Sequence, residues 1–238
     1  ASGNDILIPV FRKALDLSQT QSQMVSFAFY VAYTVGSIAY VVISKIRKKD
    51  ILASIGYRKG LALGLAISAV GTGMFYPAAQ QYVNAETKYQ EELVAYYDRM
   101  TMMHTGQLTL DFYDQNEQTK IQAQLDFKSA KNTAFGLFIS GLFIVGLGFS
   151  LQQTVANPLA IVLGNPAEGN NRLSLAGGIN NIGTTIAPLI VSFALFGQVG
   201  ANNDLDVGAV KTPYLILGLA FLAEIGRASC RERVSSPV

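Results

Sequence analysis

Four stretches of this chain run for twenty residues or more without a charged side chain: 24–44, 60–79, 133–164 and 173–196. About twenty helical residues cross the ~30 Å hydrocarbon core of a bilayer, so each stretch reads as a membrane span. At such lengths only a helix satisfies its own backbone groups in lipid. A fifth apolar run, 213–223, is cut by a polar tail, and residues 1–11 read as the second half of a helix already under way. The expectation is an all-α membrane protein with six spans. Composition agrees: only 14% of residues are charged, against about 25% in soluble domains.

Neither end reads as natural. The chain opens without Met, and the run from Glu224 to Val234 breaks the last apolar segment abruptly. Residues 224–238 have the look of a translated sequencing adapter and are set aside from the functional reading. They hold the only Cys, so cysteine usage says nothing about redox compartment.

Orientation follows from Lys and Arg in short loops. Lys45, Arg47, Lys48, Lys49, Arg58 and Lys59 cluster between the spans 24–44 and 60–79, opposed only by Asp50. That loop is expected in the cytoplasm of a cell whose inner membrane holds the chain. Alternation then puts the segment 80–132 outside. It carries eight acidic and five basic residues, and 85–103 has Tyr at helical spacings. It reads as a partly helical insertion capping the outer face. The lone histidine, His104, has no clustered partners in sequence and reads as a bystander.

Polar groups inside spans are costly and usually face a cavity or a partner. Asp5 is the only acidic residue within a span, beside Asn4. A carboxylate at membrane depth has its pKa raised by desolvation, which suits proton exchange near neutrality. The alternative is a carboxylate at the water interface. Gln153 and Asn157 are four residues apart and share a helix face. Pro158, which follows, leaves the carbonyl of Thr154 without its helical donor. These amides read as a hydrogen-bonding wall for hydroxyls, or as ties between helices. Asn180 and Thr184 form a similar pair among Gly177, Gly178 and Gly183. Arg172 stands at a cytoplasmic helix entrance, as a gate residue or a simple anchor. The Gly60-x-x-x-Gly64 pair and Gly136, Gly141, Gly146 and Gly148 offer bare helix surface for packing.

The sequence holds no metal-ligand cluster, phosphate loop or nucleophile–His–acid set, and no cofactor is expected. Hydrolases, ATP-driven pumps, redox subunits and nucleic-acid binding lack support. Secondary transport needs only intramembrane amides and one titrating carboxylate.

Several short motifs then recur in order: Asn4-Asp-Ile-Leu-Ile-Pro9, Phe75-Tyr-Pro-Ala-Ala79, Ala156-Asn-Pro158, Val162-Leu-Gly164, Arg172-Leu-Ser-Leu-Ala176, Asn180-Asn-Ile-Gly-Thr-Thr-Ile-Ala-Pro188 and Thr212-Pro-Tyr214. Together they resemble the fucose permease and glucose/galactose transporter branch of the major facilitator superfamily, over most of 1–223 outside 80–132. The resemblance implies twelve helices in two six-helix halves working by alternating access, with the N-terminal half present here and the C-terminal half missing. It implies symport of a monosaccharide with H⁺ or Na⁺. Asp5 becomes the coupling residue; Asn4, Gln153, Asn157 and Asn180 become sugar contacts. Gln153 stands where the fucose permease has a Glu, which removes a two-carboxylate relay and leans toward the glucose/galactose branch. Gly177 replaces a Gln of the family pattern, and Ile55-Gly-Tyr-Arg-Lys59 keeps only the end of the superfamily's Asp-Arg-x-Gly loop. A transporter of another solute remains an alternative, as does a membrane sensor that uses 80–132.

Overall fold

The structure, a computed structural model, describes residues 12, 17–104, 110–196 and 211–234. Every regular element among them is helical. In chain order these are α1 (Gln19–Arg47), the short α2 (Ile51–Ile55), α3 (Tyr57–Gly73), α4 (Phe75–His104), α5 (Leu110–Val162), α6 (Gly169–Phe196) and α7 (Lys211–Val234). A 3₁₀ turn, Pro166–Glu168, precedes α6. Among the described residues, three helices are long and apolar enough to cross a membrane: Gln19–Arg47, Tyr57–Met102 and Phe112–Val162. The expected remnant span at 1–11 lies outside the described residues.

Local chemistry sets the ends of α1. Ser18 forms a capping box with Gln21: the Gln21 N–H donates to Ser18 Oγ at 3.2 Å, and the Ser18 N–H donates to Gln21 Oε1 at 3.0 Å. This satisfies two backbone donors at the helix start. At the other end Lys45 and Arg47 occupy the last turn, and Lys48 closes it in a left-handed conformation at φ 49°. Cations there complement the helix dipole. In the loop that follows, the Asp50 carboxylate accepts from Leu52 N–H at 2.9 Å and from the Tyr40 hydroxyl at 2.7 Å.

A break separates α3 from α4 at Met74, where the backbone stays right-handed. Pro77 has no N–H to donate to the Gly73 carbonyl, so the helical ladder lapses there. The Met74 N–H turns instead to Gly71 O at 3.2 Å.

Helix α5 is the hub. It packs most extensively on α3, then on α1 and α4, while α7 lies against α3 and α4. Its contact with α3 follows Gly141, Val145, Gly148, Gln152 and Val155, steps of three and four residues that keep to one face. A Cβ added at Gly71 would lie 2.7 Å from both Gly141 O and Val145 N. One added at Gly148 would run into Ser68 Oγ and lie 2.6 Å from Gly64 O. These backbones touch, as the glycine spacing anticipates; only Gly136 of the expected set faces open space. A second seam joins α1 to α5, where a Cβ on Gly146 would lie 2.6 Å from Phe29 O and one on Gly36 2.8 Å from Ser150 Oγ.

Above these seams lies an aromatic core. Phe75 meets Phe138 edge-on at 5.4 Å and stacks on Tyr214 of α7 at 4.2 Å. Lys211 Nζ donates to Gln80 Oε1 at 2.9 Å nearby. Beyond that point α4 and α5 continue together as an antiparallel hairpin. The insertion at 80–132 is therefore helical over 80–104 and 110–132, as extensions of its neighbouring spans. Tyr89 stacks on Phe127 at 5.0 Å and Tyr82 packs against the same ring. Nearer the tip, the Tyr96 hydroxyl donates to Glu117, Arg99 donates to Asn116 Oδ1 at 3.2 Å, and the buried Asn116 amide donates to Tyr96 O at 3.4 Å.

Candidate functional site at the end of helix α5

The two adjacent glutamines of α5 have different fates. Successive helical residues point about 100° apart. Gln152 turns to α3, where its amide donates to Ser68 Oγ at 2.8 Å. Ser68 is fully buried, and Thr72 closes the row by donating to Ser68 O at 2.7 Å. Gln152 is thus a tie between helices, which sequence reasoning passed over in favour of its neighbour. The signal was present: Gly60, Gly64 and Ser68 recur every four residues and need a partner of their own kind.

Gln153 and Asn157 follow another row. Positions 146, 150, 153 and 157 are spaced by four, three and four residues, which puts them on the side of α5 that meets α1. Ser150 on that row shares a hydrogen bond with Ser37 of α1 at 3.0 Å. Further along, Gln153 is half-buried and Asn157 is exposed. The row therefore begins as a helix contact and ends as an open pair of amides. Helix α5 continues through Pro158 to Val162.

Asn180 is exposed on α6, a helix that packs only sparsely on α5 and α7. Thr184 and Thr185 beside it donate back to Asn181 O at 2.8 and 3.0 Å, so these hydroxyls serve their own helix. Gln153 and Asn157 stand one turn apart on α5, and Asn180 is on a separate helix. Asn4 and Asp5 lie outside the described residues.

Arg172 stands in the first turn of α6 and reaches back across the loop. Its Nε donates to Ala160 O at 3.2 Å, and its Nη2 donates to Ile161 O at 2.8 Å and Asn165 O at 2.7 Å. Glu168 lies 3.7 Å from Nη1 but is largely exposed, so this pair adds little. Among the described residues no group of His, Cys, Asp and Glu is placed to hold a metal. An open groove runs along the hairpin beside Val83, Thr87 and Val94.

Comparison with known proteins gives this arrangement a setting. The chain is 29% identical over 223 residues to a glucose/galactose transporter of Brucella abortus, covering 92% of this chain and 39% of that protein. It is 25% identical over 230 residues to the L-fucose-proton symporter of Escherichia coli, covering 90% and 39%. The L-fucose-proton symporter of Haemophilus influenzae is 21% identical over 244 residues, at 92% and 43% coverage. The chain is homologous to sugar transporters of these two kinds over about nine-tenths of its length. It spans about two-fifths of the length of these relatives. They are transporters, not enzymes. No family model matches the chain, and no solved structure matches it.

Proposed function

We propose that this chain is the N-terminal six-helix half of a twelve-helix major facilitator transporter that carries a monosaccharide across the bacterial inner membrane by cation symport. The observation that carries this reading is homology along nine-tenths of the chain to glucose/galactose transporters and L-fucose-proton symporters. The open amide pair on α5 supports it: Gln153 and Asn157 offer donors and acceptors one turn apart, which suits a polyhydroxyl solute. The sugar then binds between this half and the C-terminal half, against Asn4, Gln153, Asn157 and Asn180. Asp5 couples binding to a cation, H⁺ or Na⁺, through gain and loss of charge. Alternating access exposes the site first to one side of the bilayer and then to the other. The hairpin of 80–132 lies outside the cell in this reading, and 224–238 are foreign to it.

Uptake of labelled glucose, galactose and fucose by the full-length protein, in cells lacking their own carriers, tests the proposal. One of the three is expected to accumulate above its outside concentration and to leak away when the cation gradient is collapsed. Asp5→Asn is expected to abolish accumulation while exchange across the membrane continues. Accumulation undiminished in Asp5→Asn removes the coupling role; no uptake of any monosaccharide removes the substrate class.

A further inference from the structure

The last turn of α5 follows a weakened rung of its own helix and is held from the loop beyond it. Pro158 cannot donate to Thr154 O, so one rung of the ladder is missing there. The final carbonyls of a helix also lack intrahelical donors. In α5 two of them, Ala160 O and Ile161 O, are taken by the Arg172 guanidinium, which also binds Asn165 O in the loop. A third, Leu159 O, accepts from the Leu163 N–H at 3.1 Å. A cation at a helix C-terminus is favoured by the dipole as well. Gly164 makes room for this clamp: a Cβ there would lie 2.8 Å from Arg172 Nη1 and 3.1 Å from Cζ.

Asn157 lies just ahead of both features. It precedes the proline break by one residue, and its own carbonyl faces the Ile161 N–H in the turn that Arg172 closes. Without the clamp, the last turn is held only by its own ladder, which already lacks the rung at Pro158. We propose that Arg172 is a positioning residue: it fixes the turn that carries Asn157, and thereby the angle at which that amide meets substrate. This rests on the reading of Asn157 as a sugar contact. The role differs from a charge gate, because it depends on the fork of the guanidinium and on its three carbonyl partners. Lysine keeps the charge but presents a single point donor to carbonyls spread over residues 160 to 165.

The test uses the purified full-length transporter and two readouts. Hydrogen exchange of the amides at 159–163 reports the clamp without reference to sugar. The KM for uptake of the transported sugar, with surface expression matched, reports its consequence. Arg172→Gln, Arg172→Lys and Gly164→Ala are each expected to speed exchange at 159–163 and to raise KM roughly three- to tenfold, the scale of a hydrogen bond or two. Gly164→Ala is expected to be the mildest of the three, since it alters no charge and its methyl presses first on Nη1, which makes none of the three carbonyl bonds. Glu168→Gln is expected to leave both readouts near wild type. Unchanged exchange in Arg172→Gln overturns the clamp, and wild-type behaviour of Arg172→Lys shows that charge alone suffices and overturns it too. Asn157→Ala separates the two layers. If it raises KM while Arg172→Gln does not, the positioning role fails and the sugar contact stands. If Asn157→Ala leaves KM unaltered, the sugar contact fails and the positioning role goes with it.

Discussion

Helix α5 runs from Leu110 to Val162, and its two ends pack by different chemistry. Below about residue 134 it meets α4 through rings and charges: Phe127 between Tyr82 and Tyr89, Glu117 beneath Tyr96, Lys120 over the Tyr96 ring at 4.3 Å. Above residue 140 it meets α3 and α1 through glycines and hydroxyls: Gly141, Gly146, Gly148, Ser150 and Gln152. In water, apolar side chains gain by leaving solvent, so large rings are the useful contacts. In lipid that gain is absent; helices associate through close backbone approach and a few shared hydrogen bonds. One helix thus shows both kinds of contact, the pairing expected of a helix that passes from lipid into water.

This contrast breaks most sharply at Gly148. Gly148→Val places side-chain atoms where Ser68 and the Gly64 backbone already are. Overpacking of this kind costs about 1–3 kcal/mol or more, and rigid backbone neighbours put it at the upper end. Loss of most folded full-length protein in detergent, followed by size-exclusion and thermal denaturation, is the expected result. A valine at Gly136, which has nothing within 4 Å, is expected to be tolerated in the same assay.

A smaller effect separates the paired glutamines. Gln152→Leu leaves Ser68 without its side-chain donor at the α3 seam, and intramembrane bonds of this kind contribute about 0.6 kcal/mol on average. A modest fall in thermal stability is expected, with the KM for sugar unmoved. Gln153→Leu is expected to do the reverse. Equal stability losses in both variants would erase the distinction between tie and site.

The hairpin end offers the mildest probe. The hydrogen bond to Glu117 is the chief cause that holds the Tyr96 phenol above its ordinary range, with burial adding to it. A raised folded value means the contact stabilises the protonated form. Its contribution is full below the unfolded phenol value near ~10 and is lost as pH rises through the folded value. Hydrogen exchange near Tyr96 and Glu117, taken relative to the base-catalysed exchange of an unstructured chain at the same pH, is expected to rise only on that alkaline side in the wild type. In Tyr96→Phe it is expected to be slightly raised at all pH, with no such step.

Much of this was legible in the sequence because lipid imposes a simple pattern. Charge-free runs marked α1, α3, α5 and α6, and the Gly60–Gly64 spacing marked a face that touches another helix. Gln153, Asn157 and Asn180 stood out there as amides within apolar runs, which is what makes them candidates. What was not legible depends on distances across the bundle. Gln152 and Gln153 are chemically identical neighbours, and only the placement of Ser68 tells them apart. Arg172 read as a gate or an anchor because nothing in its neighbourhood reveals that carbonyls of the preceding helix lie within its reach. The hairpin was obscured by its mixed composition, which lacks the clean periodicity of a single amphipathic surface.

The unbroken length of α5 has a mechanical consequence. From Gly148, where it is pinned to α3, to Asn116 near the hairpin tip, the rise of ~1.5 Å per residue gives a lever of about 48 Å. For a rod of that length, a tilt of about 10° at the pivot sweeps the tip through roughly 8 Å. A pair of spectroscopic labels, one on the hairpin and one on α1, would therefore magnify small rearrangements among the spans into distances that are easily measured.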